Sequence, residues 1–166
     1  MEVIYIIEKL DKLAKLAQQK DKENREFINY LKKCDHYKVD KIVHQLSQKY
    51  LKQYDCTNCG NCCKKLTPSL THTDITKIAS YLKITYEKFI KNYVEKEIPG
   101  GFILKGRDCP FIENNKCSIY EYRPEICRSF PHLNKDNINN RLLTIIDNSS
   151  ICPIIYEVIE DLKNIF

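Results

Sequence analysis

The sequence predicts an α+β fold, mostly helical, with a small antiparallel β element. Three observations predict it. Apolar residues recur at helical spacing through much of residues 3–50, 71–93 and 153–162. Short apolar runs parted by an Asn-rich turn occupy residues 102–120. Between these parts, Cys56-Thr57-Asn58-Cys59-Gly60-Asn61-Cys62-Cys63 places four cysteines in eight residues. A backbone bent around such a run points several thiolates at one centre, which suits a metal ion or cluster better than a hydrophobic core. The fold is therefore expected to be stapled by metal.

Residues 3–17 read as an amphipathic helix, with Val3, Ile6, Ile7, Leu10, Leu13, Ala14 and Ala17 on one face. The polar stretch Gln18 to Asn24 breaks or turns it. A second helical pattern carries Phe27, Leu31 and Cys34, and a third carries Val39, Ile42, Val43, Leu46 and Tyr50. The two form one long helix or two, with Asp35 available as a cap. In the cysteine run Gly60 permits φ > 0 without a Cβ clash, and Asn58 and Asn61 tolerate tight turns. Thr71 and Asp74 have capping-box spacing ahead of Ile75, Ile78, Ala79 and Leu82. Thr85 starts a further helix with Tyr86, Phe89, Ile90 and Tyr93, and Pro99-Gly100-Gly101 ends the helical part. Phe102-Ile103-Leu104 reads as a strand. Phe111-Ile112, the turn Glu113-Asn114-Asn115-Lys116 and Cys117-Ser118-Ile119-Tyr120 read as a hairpin. Pro124 opens a short helix that carries Cys127. Leu142 to Ile146 reads as another strand, and Cys152-Pro153 opens a last helix with Ile155, Val158, Ile159 and Leu162 inward.

At 166 residues the chain reads as one compact domain, in which residues 1–55 form a helical segment packed on a cysteine-cluster domain, 56–166. No apolar run is long enough for a membrane span. Met1 to Gln19 carries Glu8 and Asp11 and does not read as a signal peptide, so the expected compartment is the cytoplasm. The net charge of +5 comes from lysines that alternate with Glu and Asp, the pattern of a solvated helix face. Without an arginine-rich stripe and interleaved aromatics, nucleic-acid binding is not expected. Nine cysteines in a reducing compartment point to metal or redox chemistry; a disulfide scaffold is the alternative in a secreted chain.

Eight cysteines are candidate metal ligands: Cys56, Cys59, Cys62, Cys63, Cys109, Cys117, Cys127 and Cys152. They are enough for two four-sulfur sites, or for one cluster with spares. The C-x2-C-x2-C spacing is that of a ferredoxin-type run, in which three cysteines wrap one corner of a cubane cluster and a distant one closes it. Structural zinc usually draws on two C-x2-C knuckles, and here only one stretch has that spacing. The expected cofactor is thus an iron–sulfur cluster of the 4Fe–4S type, with zinc as the alternative. Cys109 and Cys152 are each followed by proline, which stiffens the chain beside a ligand. Vicinal Cys62 and Cys63 do not readily aim both sulfurs at one small ion. Cys34 reads as a small buried residue, and His36 and His44 as surface or packing histidines.

The ordered set Cys56-Thr-Asn-Cys59-Gly-Asn-Cys62-Cys63, Asp108-Cys109-Pro110-Phe111 and Cys117-Ser-Ile-Tyr120-Glu-Tyr-Arg123-Pro124-Glu-Ile-Cys127-Arg128-Ser-Phe130-Pro131 resembles the YkgJ-type cysteine-cluster proteins, a family of zinc- or iron-chelating domains. The resemblance covers about residues 50–153 and implies metal binding. It does not imply a common reaction, so a non-catalytic or electron-transfer role leads. The flagellin lysine methylases look like relatives through the same cysteine run, which makes a metal-dependent protein-modifying enzyme the alternative. The chain shows neither a separate methyl-donor domain nor the C-x3-C-x2-C spacing of radical chemistry on S-adenosylmethionine. Within the motif, Arg123 and Arg128 are candidate cofactor-binding residues, because guanidinium groups offset the negative charge of a thiolate-bound cluster. Salt bridging of the short helix is their bland role, and grip on an anionic substrate a third. Tyr120 and Phe130 read as packing residues, and His132 as a reserve ligand. The expected partners are metal ions and a protein.

Overall fold

The computed structural model describes residues 2–106, 108–114 and 116–166, with the side chains of residues 2–9 and 11 outside that description. Helices α1 (Glu2–Gln19), α2 (Asp21–Leu31), α3 (His36–Leu51), α4 (Cys56–Cys59) and α5 (Asn61–Lys65) come first. Strand β1 (Ser69–Leu70) leads into α6 (His72–Tyr81) and α7 (Tyr86–Tyr93). Strands β2 (Val94–Ile98), β3 (Gly101–Leu104), β4 (Ile112–Glu113) and β5 (Lys116–Cys117) follow, then α8 (Glu125–Ser129), α9 (Leu142–Asp147) and α10 (Pro153–Ile165). The fold is mostly helical with small antiparallel sheets. The chain divides into two compact units, residues 1–59 with 131–166, and residues 60–130.

The first unit is a helical assembly. Asp35 ends the question of one helix or two: its carboxylate accepts from Tyr37 N at 2.9 Å and Lys38 N at 3.2 Å, capping α3. Helix α10 packs along α3 and α1. Its buried face, Ile154, Ile155, Val158, Ile159 and Leu162, meets a core that includes Leu13, Ile28, Leu31, Val39 and Val43. On α1, Leu13 and Ala17 are buried while Ala14 is exposed; the expected face residues Val3, Ile6 and Ile7 lie outside the described side chains. Polar contacts rim this core. Lys49 Nζ and Tyr50 Oη donate to Asp161 at 2.9 and 2.7 Å. Buried Asp40 accepts from Asn137 N at 2.7 Å and Ile138 N at 2.9 Å, tying α3 to the turn that precedes α9.

Residues 142–146 are helix α9 and not the expected strand. Leu142, Ile145 and Ile146 are buried while Leu143 and Thr144 are exposed, which is helical spacing. The β-branched content of the run concealed that spacing.

The second unit has a smaller core of Leu70, Ile75, Ile78, Ala79, Phe89, Phe102, Leu104, Phe111 and Ile119. Thr71 and Asp74 close the capping box at the start of α6, and Thr85 caps α7 through Lys88 N. The helical part ends at Tyr93, earlier than Pro99-Gly100-Gly101 suggests. Residues 94–98 are an edge strand whose Glu95, Lys96 and Glu97 hide the β pattern behind charge. Strand β3 is central in the order β1-β3-β2. Gly101 is required there, since a Cβ at this position would stand 2.3 Å from the Leu70 carbonyl oxygen. The second hairpin pairs Ile112 with Cys117 and Glu113 with Lys116; Asn115, in its expected turn, lies outside the described residues.

Candidate metal centre

The cysteine run is built from two short helices with a left-handed residue between them. Asp55 precedes the first. Its carboxylate accepts from Thr57 N at 2.9 Å, Thr57 Oγ1 at 2.5 Å and Asn58 Nδ2 at 2.7 Å, and its carbonyl accepts from Asn58 N and Cys59 N. Asp55 was not singled out in the sequence; an Asp followed by a short helical turn is the local signal for such a cap. Gly60, at φ 57°, ends α4 and starts α5. The chain passes from the first unit to the second between Cys59 and Gly60.

In the second unit, Cys62 and Cys63 sit on α5 with their sulfurs 4.0 Å apart. The Cys63 carbonyl accepts from Cys109 N at 3.2 Å, so the start of the hairpin is tied to the run. The Cys109 carbonyl in turn accepts from Ile112 N at 3.1 Å. Cys109 and Cys117 are half-buried against the core that contains Phe111 and Ile119. Cys127 lies on α8, where its N–H and that of Arg128 both reach the Pro124 carbonyl.

These thiols sense one another electrostatically. The Cys62 hydrogen bond, with help from the charges of Arg123 and Lys64, outweighs burial and holds Cys63 down at about 7. Burial pushes Cys109 up to about 11 and Cys127 up to about 12, and it raises Cys117 as well. The negative charge of Cys63 adds to the rise at all three.

In the first unit, Cys56 and Cys59 occupy α4, and Cys152 is the N-cap residue of α10. Cys152 is 7% exposed. Burial drives its thiol up to about 12; the N–H groups of Ile155 and Ile154 act against this, and charge at Cys56 and Cys59 reinforces it. Cys34, outside the run, is half-buried, and its sulfur faces the Tyr30 carbonyl at 3.6 Å. His132 belongs to the first unit, with φ 63° and its carbonyl accepting from Arg141 at 3.3 Å.

Arg123 lies over the Tyr120 ring, 3.7 Å from its centroid, and donates to the Tyr120 carbonyl at 2.6 Å. From there its charge favours the thiolates of Cys63, Cys117 and Cys127. Arg128 donates to the Glu121 carbonyl at 2.7 Å and stands 3.9 Å from Glu125. It therefore holds the segment ahead of α8.

Among the described residues, no three His, Cys, Asp or Glu side chains are drawn in to the spacing of a finished metal shell. The chemistry of the donor set fits a thiophilic metal. Cys63, Cys109, Cys117, Cys127 and Cys152 are free thiols; in the second unit burial and repulsion from Cys63 raise Cys109, Cys117 and Cys127, and in the first unit burial and repulsion from Cys56 and Cys59 raise Cys152. A bound cation reverses both penalties, since it deprotonates a coordinating thiol outright. Zinc, copper(I) and iron–sulfur centres are the groups that take thiolates.

Residues 55–152, more than half of the chain, match the CxxCxxCC family, described as a "putative zinc- or iron-chelating domain". The chain belongs to the CxxCxxCC family. All eight candidate cysteines lie inside the family match, and Cys34 lies outside it. The chain is also similar to the uncharacterized protein MJ0661 of Methanocaldococcus jannaschii, with 42% identity over 85 residues. That similarity takes in 48% of this chain and 44% of the relative, so it spans less than half of the relative's length. No solved structure matches the chain. As a CxxCxxCC protein it is a metal-binding protein of the zinc- or iron-chelating kind. Among the described residues no helix is long and apolar enough to cross a membrane.

Proposed function

We propose that this protein holds an iron–sulfur cluster of the 4Fe–4S type through cysteine thiolates and works in the cytoplasm in electron transfer or another non-catalytic role. The observation that carries this reading is the grouping of Cys63, Cys109, Cys117 and Cys127 in one unit. There, Cys109 and Cys117 of the hairpin pack against the small core, and charge at Cys63 on α5 is felt by both of them and by Cys127 on α8. Four thiolates complete the coordination of such a cluster. Cys56, Cys59, Cys62 and Cys152 are further metal ligands of the chain in this reading.

Bound, the cluster supplies a one-electron redox centre. The chain's own residues do the rest. Cys63, whose thiol ionises near neutral pH, is the first anchor. Arg123 offsets negative charge at Cys63, Cys117 and Cys127. Phe111 and Ile119 keep water from the base of the hairpin. The anaerobically purified protein should be brown, absorb broadly in the visible and contain both iron and acid-labile sulfide. A colourless protein with stoichiometric zinc and no iron would replace this reading with a structural zinc site.

A further inference from the structure

We infer that Asp74 is a positioning residue for the metal centre, acting through α8 and Cys127. The inference rests on the proposal that Cys127 is a metal ligand. Asp74 is 7% exposed and uses both carboxylate oxygens. Oδ2 accepts from Thr71 N at 2.9 Å and Thr71 Oγ1 at 2.7 Å, which closes the capping box of α6. Oδ1 accepts from Glu125 N at 3.1 Å, across 51 residues of chain. The capping box accounts for the first oxygen only. The second reaches the opening residue of α8, the five-residue helix that carries Cys127.

A helix this short has little cohesion of its own. Its N-cap residue is Pro124, with φ −52° and ψ 150° and no side-chain cap. Glu125 is the first helical residue, so its N–H has no acceptor within the helix and lies outside the reach of an ordinary N-cap side chain. Asp74 accepts it from a distant, buried and well-anchored position. The element it anchors to, α6, is seated in the core by Ile75, Ile78 and Ala79. The Asp74 carboxylate thus ties the start of α8, and with it the Cys127 segment, to the core, beside the bond from Arg128 to the Glu121 carbonyl.

The two hydrogen-bonding duties can be separated by substitution. Thr71→Ala weakens the α6 cap and leaves the bond to Glu125. Glu125→Pro removes the N–H that Asp74 Oδ1 accepts, together with the exposed side chain that stands 3.9 Å from Arg128. Proline is well tolerated at a first helical position, and Pro124 already has the extended backbone that a following proline requires. Glu125→Ala keeps the N–H and controls for loss of the exposed side chain.

Each variant is purified anaerobically, and its metal content, visible spectrum and rate of metal loss to a chromophoric chelator are measured, with circular dichroism as the check on folding. Glu125→Pro and Asp74→Asn should lose metal at least about ten-fold faster than the parent and show a shifted visible or electron-spin spectrum. Thr71→Ala and Glu125→Ala should match the parent in spectrum and chelator rate, even where Thr71→Ala melts at a lower temperature. Parent-like spectra and chelator rates in a folded Glu125→Pro variant would overturn the inference. Should Glu125→Pro not fold, Asp74→Asn is judged by the same two readouts. Cys127→Ala tests the underlying reading separately. If it retains full metal with the parent spectrum, Cys127 is not a ligand, whatever the Asp74 variants do.

Discussion

The two units bury their interiors by different means. Among the described residues, the first unit buries about twice as many apolar side chains as the second, most of them on helices of ten residues or more. The second unit has a smaller core, strands of two to five residues and a five-residue helix at its end. It also holds Cys62, Cys63, Cys109, Cys117 and Cys127. A small core rarely sustains such short elements unaided, and metal is a common substitute for missing hydrophobic area. The comparison teaches where metal dependence should lie: strongly in residues 60–130 and weakly in the bundle of α1, α2, α3 and α10.

The largest effect should come from the thiols. Cys127→Ala should abolish stable metal retention and broaden the amide spectrum of the second unit, because ligand loss and fold loss coincide when site formation is coupled to folding. Cys56→Ala, Cys59→Ala and Cys62→Ala should each lower metal content as well. Metal analysis with a two-dimensional NMR spectrum reads both effects. If the cysteine variants bind metal fully, the division of labour between core and metal is wrong.

Next in size is a core truncation. Phe89 is fully buried in the second unit and stacks near Phe111 and Tyr93. Phe89→Ala should cost about 3–5 kcal/mol. In the metal-free protein that loss should unfold the second unit in near-ultraviolet circular dichroism, whereas the metal-loaded form keeps its tertiary signal. Equal sensitivity with and without metal would argue against a metal-supported core.

A smaller effect belongs to the first unit. Burial alone would raise the Glu160 pKa, but hydrogen bonds from Lys163 and Lys20 bring it below the ordinary 4.5. A carboxylate depressed in the folded state adds stability above its unfolded pKa, and that stability is lost as pH falls through the lower folded value. Glu160→Gln should therefore reduce the melting temperature of the parent near pH 7 and make little difference at the acid end, below the folded pKa. A difference that persists unchanged into acid would remove the charge argument. The smallest effect should be that of Cys34→Ala, which lies outside the family match and should leave metal content unchanged.

Local signals made much of this fold legible. Asp35, Thr71, Thr85 and Cys152-Pro153 mark helix starts because a cap is a property of three or four adjacent residues. The cysteine run was equally plain. The hidden features depend on distant partners. Strand β2 is a strand because β3 lies beside it, and its charged residues look like those of a loop or helix. Leu142 to Ile146 becomes a helix once Leu142, Ile145 and Ile146 find one apolar face. No spacing rule shows that Asp40 reaches Asn137 and Ile138, or that Asp74 reaches Glu125. Nor does the unbroken run from Cys56 to Cys63 reveal that the chain changes unit after Cys59.

Hydrogen exchange of the metal-loaded and chelated protein tests the central claim most directly. Chelation should raise exchange together across residues 109–129, including Cys117 on β5 and Cys127 on α8, while the amides of α3 and those of α10 beyond its first turn, which follows Cys152, keep their protection. If removal of metal instead exposes only residues 55–65, or leaves the hairpin and α8 as protected as before, the distant cysteines do not hold metal and the account of the second unit is contradicted.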